Sequence, residues 1–256
     1  MEVTVASNDD NKAILLLEKS EPALANAVRR TLLAEIPIMA VDTVTFYENT
    51  SVMPDEYVAH RIAMVPFKTD LKAYKRPEDC CSGNCASCSV DLTIDEAGPK
   101  MVYSSDIKTS DAKIKPVSGK IPIVELMPGQ RLRLEAKAVL GRGEDHAKWK
   151  FGVASFKYAP VLKADYRKIK DVKAVADACP VGALAAKAGK LELDEIKCTE
   201  CLACVQAAGP DALAIEPDRS RFVFVVETNG QITAKDAVLQ ATKRITEKIE
   251  SMQSQL

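Results

Sequence analysis

Residues 23–46 read ALANAVRRTLLAEIPIMAVDTVTF, and this stretch decides the fold class. Its first half repeats apolar side chains at helical spacing, at Leu24, Val28 and Leu32. Ser20 is a residue type that caps helices, and Pro37 ends the pattern. The following residues, 41–48, favour a strand. A helix that leads directly into a strand predicts an α+β protein.

Two further segments predict strands. In residues 131–137, Leu132, Leu134 and Ala136 alternate with charged side chains. This period of two is typical of a strand with one buried face. Glycines in 141–143 predict a turn after it, and FVFVVE at 222–227 predicts a second strand.

The last segment predicts a long helix. Thr233 followed by Asp236 resembles a capping box. Apolar residues then recur along one face, at Val238, Ile245 and Ile249. Such a face packs either on the core of the same chain or on a partner, and spacing alone leaves both open.

The charge balance argues against nucleic-acid binding by the chain alone. Its 256 residues include 35 Lys plus Arg and 36 Asp plus Glu, for a net charge of -1. A protein that grips nucleic acid over a broad surface carries a basic excess. No apolar run approaches the ~18–20 residues of a membrane span, and the start, MEVTVASNDD, is unlike a signal peptide. We therefore expect a cytoplasmic protein.

Four of the eight cysteines follow a ferredoxin pattern. Cys198, Cys201 and Cys204 form C-x2-C-x2-C, and Cys179 is followed by Pro180. In bacterial ferredoxins the run is C-x2-C-x2-C-x3-C-P, and its fourth cysteine serves the other cluster. The pattern predicts a 4Fe-4S cluster, or a 3Fe-4S cluster if Cys179 is disengaged. A four-cysteine zinc site is the alternative.

The second cluster of a two-cluster ferredoxin has no ligands here. Its four positions hold apolar residues, Ile169, Val172, Val175 and Ala208. We expect these side chains to lie together, largely buried, across the inserted domain from the remaining cysteines, because an empty cluster cavity would be costly. The alternative is one face of an ordinary amphipathic helix, with Ala208 unrelated to it.

The other cysteines, Cys80, Cys81, Cys85 and Cys88, lie in a short polar loop. Four thiolates in a loop favour structural zinc. Adjacent cysteines at 80 and 81 are awkward for a single tetrahedral ion. A small iron–sulfur centre and free thiols remain as alternatives.

Several blocks together resemble the α-subunit family of RNA polymerases. They are residues 23–46, DEYVAHRIAMVPF at 55–67, HAKWKFGVASFKY at 146–158 and FVFVVETNGQITAKDAVLQATKRI at 222–245. The ferredoxin-like insertion is similar to that of the archaeal members, the D subunits.

The resemblance implies a discontinuous dimerisation domain of residues 1–45 and 218–256. Residues 46–164 would form an inserted, mainly-β domain and residues 165–217 a ferredoxin-like domain. The chain would be a non-catalytic subunit of a nucleotidyltransferase complex that pairs with subunit L. That pair would be the platform for the large catalytic subunits, with small subunits N and P attached. The faces that carry Leu24, Val28, Leu32, Val238, Ile245 and Ile249 would meet the partner.

The resemblance also bears on the cysteine loop. A eukaryotic relative has a zinc loop spaced C-x-C-x3-C-x2-C. Cys81, Cys85 and Cys88 match its last three positions, whereas Cys80 is one residue too near.

A ferredoxin-like electron-transfer or redox-sensing protein is the rival hypothesis. The chain has no P-loop, dinucleotide fingerprint or Asp-rich magnesium motif. A single cluster without a flavin or nicotinamide site fits a structural or sensing role better than a redox enzyme. We expect no active site of the chain's own.

Overall fold

The computed structural model describes residues 1–80, 85–209 and 211–255. Within these ranges the chain forms five helices and twelve strands, which confirms the α+β class. The helices are α1 (Pro22–Ala34), α2 (Asp55–Ala63), α3 (Val172–Asp177), α4 (Ala203–Ala208) and α5 (Ala234–Gln253). The strands are β1 (Glu2–Asn8), β2 (Lys12–Glu18), β3 (Pro37–Asn49), β4 (Ser89–Ala97), β5 (Lys100–Tyr103), β6 (Lys108–Thr109), β7 (Pro122–Leu126), β8 (Arg131–Arg142), β9 (Gly152–Ala164), β10 (Leu184–Lys187), β11 (Lys190–Leu193) and β12 (Leu213–Thr228). None of the described helices has the length and apolar character needed to span a membrane.

The chain divides into two compact units. The first comprises Met1–Ser7, Ile14–Ala27 and Ser155–Val225. It contains the larger part of a four-stranded sheet with the order β1-β2-β12-β9, together with the β10-β11 hairpin. The second comprises Asn8–Ala13, Val28–Ala154 and Val226–Leu256. The three-domain division stays a prediction, and β12 runs without interruption across its 217/218 boundary.

The second unit is built on a sheet with the order β3-β8-β4-β6. Strand β8 pairs antiparallel with both β3 and β4. As alternation predicted, Leu132, Leu134 and Ala136 are buried while the charged residues between them face outward. These side chains join Val58 and Ile62 of α2 in one hydrophobic core. The period of two thus decides which face of β8 enters the core.

The turn predicted at 141–143 begins at Gly143, two residues later than expected. Strand β8 continues to Arg142, and Gly141 pairs with Ile38 of β3. A Cβ atom at Gly141 would lie 2.3 Å from ring atoms of Trp149. This glycine therefore allows an indole ring to lie against the strand, and it does not form a turn.

The start of α1 is also corrected. The amides of Leu24 and Ala25 donate to the carbonyl of Glu21, so the helix begins at Pro22 and Ser20 precedes its cap position. The Ser20 hydroxyl is buried without a hydrogen-bond partner among the described residues. Pro22 at the first helical position is the signal that correctly marks the start.

In the inserted segment, short elements surround a small apolar cluster. Asp171 caps α3 by accepting hydrogen bonds from the amides of Lys173 and Ala174 at 2.9 and 3.0 Å. Strands β10 and β11 pair antiparallel through a turn whose two central residues, Ala188 and Gly189, have positive φ angles. Such a turn matches the twist of a two-stranded hairpin.

Candidate metal centres

Four cysteines from three parts of the insertion line one pocket. Cys179 follows α3, Cys198 and Cys201 lie between β11 and α4, and Cys204 lies within α4. The other lining residues include Leu184, Leu193 and Ile215, which make the walls apolar. The structure therefore brings together all four cysteines of the ferredoxin pattern.

Backbone amides close to these cysteines donate hydrogen bonds to their sulfur atoms. Glu200 and Leu202 are in the left-handed region, with φ of 56° and 61°. The amide of Glu200 donates to Cys198 Sγ at 3.5 Å, and the amide of Ala183 donates to Cys179 Sγ at 3.2 Å. Amide donors stabilise the thiolate form, which is the form that binds metals.

Burial and mutual repulsion disfavour four bare thiolates in this pocket. Burial raises the pKa of the Cys204 thiol, and the charges of Cys198 and Cys179 raise it further. The amides of Val205 and Cys204 oppose this shift in the pKa. Cys198 and Cys204 are buried, while Cys201 is exposed. A cationic cofactor core would offset the repulsion and hold all four sulfurs deprotonated.

The spacing of the sulfurs differs between the two groups of cysteines. Sulfurs around a tetrahedral zinc at about 2.3 Å lie roughly 3.8 Å from one another. Among the described residues, Cys80, Cys85 and Cys88 form the single group of three metal-binding side chains whose ligand atoms all lie within 4.8 Å of one another. No three thiols of the ferredoxin pattern form such a group, although all four line one pocket.

The four apolar residues that replace a second set of ligands belong to one hydrophobic cluster. Ile169 and Val175 are buried in it, and Val172 and Ala208 pack against it half-buried. Ala208 therefore lies with the three α3-side residues as predicted, although only two of the four are buried. Cys204 and Cys179 belong to the same cluster, so a continuous apolar core supports the cysteine pocket.

In the cysteine loop, three thiols converge. Sγ of Cys85 lies 3.4 Å from Sγ of Cys80 and 3.4 Å from Sγ of Cys88. Cys80 therefore converges with Cys85 and Cys88, although its spacing in the sequence is one residue shorter than that of the related zinc loop. Cys81, the fourth predicted ligand, lies outside the described residues.

Local hydrogen bonds prepare this loop. The guanidinium of Arg76 donates from Nε and Nη2 to the two carboxylate oxygens of Asp79, at 3.0 and 3.1 Å. The amide of Lys75 donates to the carbonyl of Ser87 at 2.9 Å, which closes the base of the loop. The two ends of the loop are thus held by hydrogen bonds.

The predicted partner-facing residues divide into two groups. The structure corrects the role of Leu32, which is only 1% exposed and belongs to the chain's own core. Helix α5 buries Ala234, Ala237 and Ala241 instead of its large residues. Of those large residues, Val238 and Ile245 are half-buried and Ile249 is 52% exposed. In α1, Val28 is half-buried and Leu24 is exposed.

Sequence reasoning missed other residues. Leu239 is exposed beside Val238, and a stripe one residue wider would have included it. Lys157 Nζ donates to the carbonyls of Ile196, at 3.2 Å, and of Cys198. Arg221 pairs with Glu195 at 3.0 Å. No sequence pattern links these two cations to the cysteines, because they lie on distant strands.

Comparisons with known proteins agree with this architecture. A family described as "RNA polymerase Rpb3/RpoA insert domain" matches residues 40–154. "DNA-directed RNA polymerase subunit Rpo3" of Methanosarcina acetivorans is 39% identical, over 98% of this chain and 97% of its own length. The Rpo3 of Methanosarcina mazei has the same identity and coverage. "DNA-directed RNA polymerase II subunit rpb3" of Dictyostelium discoideum is 31% identical over all of this chain and 94% of its own length.

An α+β chain with an Rpb3/RpoA insert domain and an additional cysteine-lined insertion is a non-catalytic subunit of a DNA-directed RNA polymerase. The similarity extends over nearly the whole length of both this chain and its relatives. The chain belongs to the Rpo3 family, the D subunits of archaeal RNA polymerase.

Proposed function

We propose that this chain pairs with subunit L and that the pair is the platform on which the catalytic subunits assemble. Small subunits N and P attach to the same platform. The observation that carries this proposal is the surface of α5. Its alanines are buried within the chain, while Leu239, Ile249 and Met252 are exposed. A helix that buries small residues and exposes large apolar ones is suited to a protein partner.

We further propose that residues 165–217 form a ferredoxin-like domain with one iron–sulfur cluster. Cys179, Cys198, Cys201 and Cys204 are its ligands. The shared pocket, the amide donors to sulfur and the ferredoxin pattern of the sequence support a cubane over a single ion. A 4Fe-4S cluster uses all four cysteines, and a 3Fe-4S cluster forms if one ligand is released. The cluster stabilises or regulates its domain, because metal-binding energy in a small insertion is also folding energy.

For the cysteine loop we propose a zinc ion held by Cys80, Cys85 and Cys88, with Cys81 as the fourth ligand. The convergence of these three sulfurs within 4.8 Å of one another supports the ion. This ion is structural, because four thiolate ligands leave no open position for a substrate.

One preparation tests these proposals together. The chain is co-expressed with subunit L under anaerobic conditions and separated by size-exclusion chromatography. Iron, acid-labile sulfide and zinc are then measured, and electron paramagnetic resonance identifies the cluster type. We expect a heterodimer that contains iron, sulfide and zinc. A stable monomer that does not bind subunit L, and whose cluster is reduced and reoxidised reversibly, would support the electron-transfer alternative instead.

A further inference from the structure

The segment that leads to the cysteine triplet, Asp194–Cys198, has an ordered backbone of its own. The amide of Asp194 donates to the carbonyl of Ala183 at 2.8 Å, next to the loop of Cys179. The Asp194 carboxylate accepts hydrogen bonds from the amides of Ile196 and Lys197, both at 3.1 Å. The amide of Cys198 returns to the Asp194 carbonyl, also at 3.1 Å. This compact turn decides where Cys198, the first ligand of the triplet, is placed.

A lysine from the sheet holds the end of this turn. Lys157 lies on β9 and is half-buried. Its ammonium donates to the carbonyl of Ile196 at 3.2 Å and to the carbonyl of Cys198 itself. Among the described residues it forms no salt bridge, so neutral carbonyls are the partners found for this charge. A positive charge therefore lies against the backbone of the proposed ligand Cys198, with no carboxylate in salt-bridge contact among the described residues.

A second cation holds the same turn in a different way. Arg221 lies on β12, the neighbour of β9 in the sheet. Its guanidinium pairs with Glu195 of the turn at 3.0 Å and with Glu18 of β2 at 3.1 Å. Two carboxylates therefore flank this one positive charge. Arg221 thus links the turn to the sheet through ion pairs.

We propose that Lys157 and Arg221 are positioning residues of the iron–sulfur site, and that Lys157 also tunes the cluster. This inference rests on the cluster proposed above. Both cations fix the turn that presents Cys198, which slows the loss of iron. Lys157 has an additional effect, because an iron–sulfur cluster with four thiolate ligands is anionic and gains negative charge on reduction. A nearby ammonium favours the reduced state and raises the reduction potential.

The alternative is that Lys157 merely satisfies two carbonyls. Loss of the side chain would then loosen the turn without altering the electrostatics at the iron. The two roles differ in their effect on the midpoint potential, because only the charge of Lys157 acts directly on the electrostatics at the iron. Arg221 provides a comparison for the rate of iron loss, because it fixes the same turn through Glu195.

The test uses the full chain in complex with subunit L, reconstituted anaerobically with iron and sulfide. The variants are Lys157→Met, Lys157→Arg and Arg221→Met. Lys163→Met is the matched control, since Lys163 lies on the same strand and pairs with Glu216 at 2.5 Å on the exposed surface. The measurements are iron and sulfide content, the midpoint potential by redox titration, and the rate of iron loss to an iron(II) chelator.

We expect Lys157→Met to lose iron about tenfold faster than the wild type, the factor that corresponds to one charge-assisted hydrogen bond. Its midpoint potential should fall, and Lys157→Arg should restore it. Arg221→Met should also lose iron faster, because it releases the turn from β12. Lys163→Met should match the wild type in both measurements. If Lys157→Met is insoluble, Lys157→Gln removes the same charge, and its potential is measured on the fraction that holds a cluster.

Two results would overturn the inference. One is a Lys157→Met protein with the potential and iron-loss rate of the wild type. The other is faster iron loss at an unchanged potential, which would reduce Lys157 to a structural role. A further result distinguishes failure of the proposed cluster from failure of the inference about Lys157. If the wild-type complex itself takes up no iron or sulfide, the proposed cluster is wrong and the inference falls with it.

Discussion

Tyr74 lies in the core of the second unit, and its hydroxyl donates to the carboxylate of Asp111 at 2.7 Å. Burial raises the pKa of Tyr74 from 10.0 to about 12, and the hydrogen bond to Asp111 contributes to the rise. The same hydrogen bond lowers the pKa of Asp111. One side chain therefore links the core to the loop around residue 111.

We predict that Tyr74→Phe lowers the free energy of unfolding by about 1–2 kcal/mol, the usual contribution of such a hydrogen bond. Because folding raises the pKa of Tyr74, its contribution is complete below about pH 10 and is lost as the pH rises toward about 12. Urea unfolding of both proteins at about pH 8 and about pH 11 should show a smaller difference at the higher pH. A difference that grows with pH would contradict the role of this hydroxyl.

Cys198 tests how far the effect of the proposed cluster extends. Cys198→Ser should lose iron and sulfide and loosen residues 165–217, because the site's binding energy also folds the insertion. The helix that we assign to the subunit L interface, α5, lies in the second unit, so pairing should survive. Metal analysis, limited proteolysis and size-exclusion chromatography measure these effects. Thr199→Ser is the control, since Thr199 supplies no thiol.

If soluble Cys198→Ser no longer pairs with subunit L, the cluster and the platform are coupled more tightly than we propose.

At the scale of elements, the local sequence sets where helix α5 starts, and tertiary packing sets which of its faces is buried. Its N-cap was predicted from Thr233 and Asp236, and Thr233 Oγ1 accepts a hydrogen bond from the Asp236 amide at 3.1 Å. The same hydroxyl donates to the Asp236 carboxylate at 2.8 Å. The cap fixes where the helix starts, whereas the surroundings of its faces decide which residues are buried.

Thr233→Ala should therefore lower the free energy of unfolding by about 1 kcal/mol. Thr242→Ala is the matched control, because the Thr242 hydroxyl bonds to the carbonyl of Leu239 within the helix. Alanine is the better helix former there, so this variant should be neutral or slightly stabilising. Thermal unfolding followed by circular dichroism separates the two. Equal losses in both variants would show that the cap contributes nothing specific.

At the scale of the whole molecule, the exposed face of α5 is the surface that the proposed partner would bury. Ile249→Asp should leave the isolated chain folded, since Ile249 is 52% exposed. In the proposed heterodimer it would bury an unpaired carboxylate, which costs several kcal/mol and should abolish pairing with subunit L. Co-purification and size-exclusion chromatography measure the outcome.

The matched control is Val52→Asp, at a position 79% exposed and outside the proposed interface, which should pair normally. Leu32→Asp should behave differently from both. Because Leu32 is buried in the chain's own core, the Leu32→Asp variant should fail to fold. A normal heterodimer from Ile249→Asp would remove α5 from the interface.

The sequence alone determined what is encoded within a few neighbouring residues. The alternation of 131–137, the cap at Thr233 and the cysteine spacing around Cys198 all depend on local geometry. A strand, a helix or a metal-binding turn requires particular residue types at a characteristic spacing. These features could therefore be predicted from the sequence without knowledge of the fold. The order of the sequence blocks was enough to indicate the polymerase family.

Only the tertiary structure decided which distant residues meet. It placed Leu32 in the core, set Trp149 against Gly141, drew Cys80 close to Cys85, and brought Lys157 and Arg221 to the turn before Cys198. Strand pairing and the conformation of connecting loops create these contacts. The physical reason is that proximity between residues far apart in the chain depends on the packing of all the elements between them, and no local pattern records it.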